Sequence, residues 1–71
     1  MTDTITITAE QIARELCWRL SNSNAELDEF DIAYDTLAED DATQFSLAVN
    51  FHSLETGEHG FREFIVRIEA V

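Results

Sequence analysis

Apolar residues recur with a helical period near the start of the chain. Those that share one face of a helical wheel are Ala9, Ile12, Ala13, Leu16 and Leu20, with Cys17 at the edge. This spacing is typical of an amphipathic helix. Thr8 is followed three residues later by Gln11, which matches the capping box that marks a helix start. The pattern predicts a helix through Leu20, ended by the polar residues 21–24.

In the second half of the chain, apolar and polar residues alternate. The apolar positions are Phe45, Leu47, Val49 and Phe51 in one segment, and Phe64, Val66, Ile68 and Ala70 in the next. Alternation with a period of two predicts half-buried antiparallel strands. Residues 55–60 between these segments contain both glycines of the chain, and they predict the turn of a hairpin.

The segment 25–38 fits both periods. Its residues with helical spacing are Leu27, Phe30, Tyr34 and Leu37, whereas Phe30, Ile32, Tyr34 and Thr36 alternate. Aspartate is a poor helix former, and the acids 39–41 would lie unfavourably at a helix C-terminus. We therefore favour a strand from about Glu29 to Leu37, with a helix as the alternative.

These elements predict an α+β fold in a single domain, residues 1–71. One N-terminal helix would pack on a three- to four-stranded antiparallel sheet, as a βαβββ or αβββ meander, because residues 4–8 also alternate and could form a strand or an extended lead-in. One sheet face would hold the aromatic residues and meet the helix. The other face would carry Glu29, Asp31, Asp35, Asn50, His52, Glu63, Arg67 and Glu69.

Charge is concentrated in one window. Eight carboxylates and no cation lie between Glu26 and Asp41, in a chain with a net charge of −11, four arginines and no lysine. A field of one sign repels nucleic acid and attracts basic protein surfaces. The alternative is that the acidity only keeps the protein soluble or adapts it to salt. That alternative predicts acids spread evenly along the chain, whereas here they are concentrated in one window.

The predicted partner-binding residues come from this window and from the helix. They are Asp28, Glu29, Asp31, Asp35, Glu39, Asp40 and Asp41, with Trp18 as an apolar anchor. Trp18 falls beside Gln11 and Arg14 on the wheel, away from the apolar stripe, and Trp and Arg are enriched at interface hot spots. The alternative is that Trp18 folds over the helix edge onto another element or onto the N-terminal strand.

No catalytic, metal-binding or cofactor-binding motif accompanies the acids. His52 and His59 match no zinc or calcium spacing and are expected to be solvated, and Cys17 is expected to be a small core residue. We expect no enzymatic activity and no cofactor. A lone cysteine cannot form an internal disulfide, the first eight residues lack the features of a signal peptide, and no apolar run could span a membrane. These features favour a cytoplasmic location.

The short length, the acidic window and the missing lysines resemble the small acidic inhibitors of phages and mobile elements, which include anti-CRISPR proteins and other DNA mimics. This resemblance implies a non-enzymatic inhibitor that occupies the basic groove of a nucleic-acid-binding protein or nucleoprotein complex. Such a protein would not itself bind nucleic acid or membrane. The residues leave open a second hypothesis, a structural or regulatory module, either a homodimer or a small subunit of an assembly, that acts through apolar contacts.

Overall fold

The computed structural model describes residues 6–71, in which a helix precedes four antiparallel strands. In chain order the elements are α1 (Ala9–Leu20), β1 (Asn24–Leu27), β2 (Phe30–Ala38), β3 (Gln44–Ser53) and β4 (His59–Arg67). The strands are neighbours in the same order, so the sheet is a meander. The predicted α+β class, with an N-terminal helix on an antiparallel sheet, is confirmed.

The helix begins and ends where the sequence predicts. The Gln11 N–H donates to Thr8 Oγ1 at 3.2 Å, and the Thr8 N–H donates to Gln11 Oε1 at 2.8 Å, which completes the capping box. At the other end, the Ser23 N–H and hydroxyl both donate to the Leu20 carbonyl, at 3.2 and 2.7 Å. Asn22 adopts a left-handed backbone with φ 57°, which turns the chain towards the sheet.

The ambiguous segment 25–38 contains the end of β1, a turn and β2, so its helical alternative is wrong. β2 is displaced by one residue from the predicted range 29–37, and it pairs along its whole length with β3, with Ile32 opposite Phe51. Ile32 is buried, whereas Asp31 and Asp35 are exposed on the other side. A helix could not separate these neighbours so cleanly, because only alternation with a period of two places adjacent residues on opposite faces.

A fourth strand follows the helix, in a place the sequence pattern did not indicate. Residues 6–8 form no strand, and positions 4–5 of the predicted N-terminal strand lie outside the described residues. β1 instead folds back on β2 through the two-residue turn Asp28–Glu29, with Leu27 opposite Phe30. Asp28 has a φ of 54°, in the left-handed region where aspartate is enriched.

The last strand is predicted over the alternating residues 63–70 but spans His59–Arg67, so it begins and ends earlier, which is a correction to the hairpin. Gly57, with a φ of 77°, lies in the turn, but Gly60 lies within β4 opposite Phe51. A Cβ atom at Gly60 would overlap the Phe51 ring, so this position needs a residue without a side chain. The buried Ser53 hydroxyl closes the turn by accepting the N–H groups of Glu55 and Thr56, at 3.3 and 3.2 Å.

Strand alternation gives the sheet two faces. The inner face, on the side of α1, contains Phe30, Ile32, Tyr34, Thr36, Phe45, Leu47, Val49, Phe51, Arg62, Phe64 and Val66. The outer face contains Glu26, Asp31, Ala33, Asp35, Leu37, Ala48, Asn50, His52, His59, Phe61, Glu63, Ile65 and Arg67. Glu29, predicted for this outer face, lies in the turn before β2, and Glu69 follows β4.

The helix covers only one end of the inner face. α1 contacts β2 and β3, and the Thr36 hydroxyl donates to the Cys17 carbonyl at 2.6 Å. Ala13 and Phe45, each 1% exposed, belong to this covered end. A 12-residue helix is about 18 Å long, whereas a 10-residue strand is about 33 Å long. The aromatic face meets the helix, as predicted. The contact extends along only part of the length of the strands.

A candidate acidic interaction surface

The predicted acids follow β2 from end to end. Asp31 and Asp35 lie on the outer face, the turn at residues 28–29 precedes the strand, and residues 39–41 follow it. We refer to Asp28, Glu29, Asp31, Asp35, Glu39, Asp40 and Asp41 as the acidic line. Because β2 has nine residues, its two ends are about 30 Å apart. The acids form an extended strip and not one compact cluster.

Two further carboxylates on neighbouring strands widen this strip. Glu26 in β1 lies directly opposite Asp31, and Glu63 in β4 is separated from Asp35 by Ala48 alone. Like charges directly opposite each other in an antiparallel pair are destabilising. The sequence places Glu26 in the acidic window but does not indicate its position opposite Asp31, because β1 has no apolar pattern. Glu63 was placed on the correct face but was not assigned to binding.

No cation among residues 6–71 forms an ion pair with the acidic line. Among residues 6–71 the one ion pair joins Arg19 Nε to Glu15 Oε1 at 3.0 Å, and it lies within α1. Arg62 is on the inner face, and Arg67 donates from Nε to Gln44 Oε1 at 3.4 Å. The negative field of the line is therefore uncompensated by any ion pair in the described part of the chain.

The end of the line that follows β2 is held by hydrogen bonds. Asp41 Oδ1 accepts the Thr43 hydroxyl at 2.6 Å and the Thr43 N–H at 2.9 Å. These two bonds, the hydroxyl first, hold the pKa of Asp41 below its ordinary value of 3.8. Glu39 Oε2 accepts the Ser46 hydroxyl at 2.8 Å. Both carboxylates thus have a structural role in addition to any role in binding.

Trp18 is exposed on the helix and lies near one end of the acidic line. Trp18 is 72% exposed beside Gln11, Arg14 and Glu15, so it does not fold over the helix edge onto another element of residues 6–71. Trp18 and Glu39 line one cavity of about 440 Å³ between the helix and the sheet. The structure therefore brings Trp18 to the Glu39 end, whereas Asp28 lies at the far end of β2.

The two histidines are neighbours on the outer face, which the sequence did not indicate. Their rings stack with centroids 4.8 Å apart and an interplanar angle of 16°. His52 also lies opposite Asp31, in a shallow groove of about 480 Å³ shared with Asn24 and Asn50. In the part of the chain that the structure describes, no three His, Cys, Asp or Glu side chains lie close enough together to hold a metal ion.

Comparison with protein families, with curated proteins and with solved structures found no match. The described residues include no helix with the length and apolar character needed to cross a membrane. The arrangement of charged and apolar side chains is therefore the basis for any functional assignment.

Proposed function

We propose that this protein is a non-enzymatic binding protein whose acidic line occupies a basic protein surface of the kind that holds nucleic acid. It would act as an inhibitor in the manner of the small acidic proteins of phages and mobile elements. The observation that carries this proposal is the acidic line along β2, whose carboxylates form no ion pair with any cation of the described residues.

The pair Glu26 and Asp31 supports a binding role for the strip. A sheet gains nothing by placing two exposed carboxylates directly opposite each other, and such a pair costs about 0.2–1 kcal/mol relative to a neutral pair. Departures from local stability rules are expected at functional sites. A lysine- and arginine-rich groove would remove this repulsion on binding.

Electrostatic docking of this kind has a recognisable dependence on salt. Complementary charge raises the association rate, and screening at high ionic strength lowers it again. The Debye length falls from about 10 Å at 0.1 M salt to about 3 Å at 1 M. A partner captured from lysate through the acidic line should therefore be retained at low salt and released at high salt.

The decisive experiment compares two double charge reversals. Asp31→Lys with Asp35→Lys alters the outer face, whereas Glu55→Lys with Glu58→Lys alters the β3–β4 turn, and each pair changes the net charge of −11 by the same four units. We expect the first pair to abolish capture of a basic protein complex and the second to preserve it, with both folded by circular dichroism. Equal loss in both pairs would show that net charge alone acts, and no loss in either would refute the proposal.

A second candidate function is an interaction module that acts through apolar contact at the helix. The 72% exposure of Trp18 favours it, since tryptophan is enriched at interface hot spots. This candidate predicts binding that survives high salt and is lost in Trp18→Ala. If high salt releases the partner and Trp18→Ala leaves binding unchanged, this second candidate is excluded.

A further inference from the structure

β4 is an edge strand with one side free of any partner among residues 6–71. The strand order of the sheet leaves it paired with β3 alone. Its 9 residues match β3 one to one, without a bulge, and none of them is a lysine or a proline. Bulges, lysine, proline and short length are the devices by which natural edge strands avoid pairing with another chain. β4 has none of them, so its edge is open to a further strand.

The hydrogen bonds to β3 show which backbone groups lie at this free edge. Just after β4, the Ile68 N–H donates to the Thr43 carbonyl at 2.9 Å. In an antiparallel pair without a bulge, every second residue directs its N–H and C=O groups to the same neighbour. The even-numbered residues of β4 therefore bond to β3. The odd-numbered residues, which include Glu63, Ile65 and Arg67, direct their backbone groups away from it.

The charges of β4 complement a second copy of the same strand. Two antiparallel copies that cross at Ile65 place Glu63 of each directly opposite Arg67 of the other. All three residues have odd numbers, so this register joins the free N–H and C=O groups. Shifting one copy by two residues either loses these ion pairs or places Glu63 opposite Glu69. Within one strand, Glu63 and Arg67 are about 13 Å apart, too far to pair with each other.

We infer that a second copy of this chain binds at the free edge of β4, in the antiparallel register that pairs Glu63 with Arg67. The two sheets then become one continuous sheet. On its outer face Ile65, which is 57% exposed in the single chain, meets Ile65 of the second copy. On its inner face Phe64, which is 51% exposed, meets Val66 of the second copy.

The net charge of −11 opposes this contact only weakly. β4 contains two arginines and one glutamate, and it is the one element of residues 6–71 with a positive formal charge. The two copies of β2 would be separated by β3 and β4 of each chain, which places them about 24 Å apart. The Debye length at physiological salt is about 8 Å, so repulsion between the two acidic lines is largely screened. Both lines stay accessible to a basic partner.

Charge reversals that complement each other test this register. In Glu63→Arg two arginines face each other across the edge, and in Arg67→Glu two glutamates do. Each variant alone should therefore give the single-chain mass of 8.1 kDa by sedimentation equilibrium at about 0.1 M salt, whereas the native chain should give twice that mass. An equimolar mixture of the two variants should restore the doubled mass, because every facing pair then has opposite signs. The double variant Glu63→Arg with Arg67→Glu should do the same, and it keeps the net charge of −11.

Several results would overturn the inference. A native chain that stays at the single-chain mass up to about 1 mM would exclude the second copy. Single reversals that dimerise as the native chain does, or a folded mixture that fails to dimerise, would exclude the register. If a reversal disturbs the fold by circular dichroism, Ile65→Pro replaces it, because it removes an N–H that points away from β3. A folded Ile65→Pro that still dimerises would contradict pairing at this edge.

Discussion

Gly60 is the position where the structure makes its sharpest stability prediction. It lies in β4 opposite Phe51, and a Cβ atom added there would overlap the Cζ and Cε2 atoms of the Phe51 ring and lie 2.9 Å from Cε1. Its backbone is not in the left-handed region, unlike that of Gly57. Alanine is therefore compatible with the backbone at Gly60, and the conflict lies with one neighbouring side chain.

Gly60→Ala forces the Phe51 ring out of its position, and the cost depends on the packing contacts that the ring loses. Phe51 packs edge-to-face on Phe30, with ring centroids 5.7 Å apart and planes at 86°. Loss of such a pair costs about 0.5–1.5 kcal/mol, and overpacking typically costs about 1–3 kcal/mol. Alanine in a strand regains about 0.5–1 kcal/mol over glycine. Together these contributions lower the free energy of unfolding of Gly60→Ala by about 0.5–4 kcal/mol.

A double-mutant cycle isolates the contribution of the Phe51 ring. In a Phe51→Ala background the obstacle is absent, so Gly60→Ala should stabilise the protein by about 0.5–1 kcal/mol. Both effects are measured from the midpoints of urea unfolding, provided that the m-value is unchanged. All variants are compared at one protein concentration, because association also shifts stability. If Gly60→Ala has the same effect in both backgrounds, Phe51 is not the reason for glycine at this position.

Two further predictions concern the acidic residues. Glu26→Gln removes the like-charge pair with Asp31 and should stabilise the fold by about 0.2–1 kcal/mol at pH 7. Salt at about 1 M should erase this gain, because it screens the repulsion. A gain in urea unfolding that salt leaves unchanged would contradict the prediction. Thr43→Val removes the hydroxyl donor of Asp41 and should raise its pKa towards the ordinary value. Because the pKa of Asp41 is lowered in the folded state, its contribution to stability is present above pH 3.8 and is lost as pH falls through the folded pKa. If the ¹³C titration of the Asp41 carboxyl is unchanged in Thr43→Val, the Thr43 hydroxyl is not the cause of the lowered pKa.

The sequence predicts those elements whose signals are local. The capping box of Thr8 and Gln11 fixes the helix start, and alternation identifies β2 and β3 because one face of each is buried. Asp31 and Asp35 are placed on the outer face by the same argument. These features depend on residues within a few positions of each other, so a single sequence contains them.

The features that the sequence misses depend on pairing between distant segments. β1 is four residues long with one intermediate and three exposed positions, and its pairing depends on the turn at Asp28 and not on an apolar pattern. Gly60 lies in a strand, and the Phe51 ring opposite it is the reason that glycine is needed there. Glu26 and the stacked pair of His52 and His59 acquire their neighbours through the same register, which no local pattern specifies.

The two candidate interactions, the acidic line with a basic surface and Trp18 with an apolar partner, are separable by salt. Binding of the acidic line to a basic surface should weaken as ionic strength rises, because the attraction between opposite charges is screened. Binding through Trp18, which is 72% exposed, should persist over the same range, because apolar contact does not depend on charge. Partner affinity measured from about 0.05 to 1 M salt should therefore fall if the acidic line carries the interaction and hold if Trp18 carries it. An affinity that holds up to about 1 M salt would refute the assignment of binding to the acidic line.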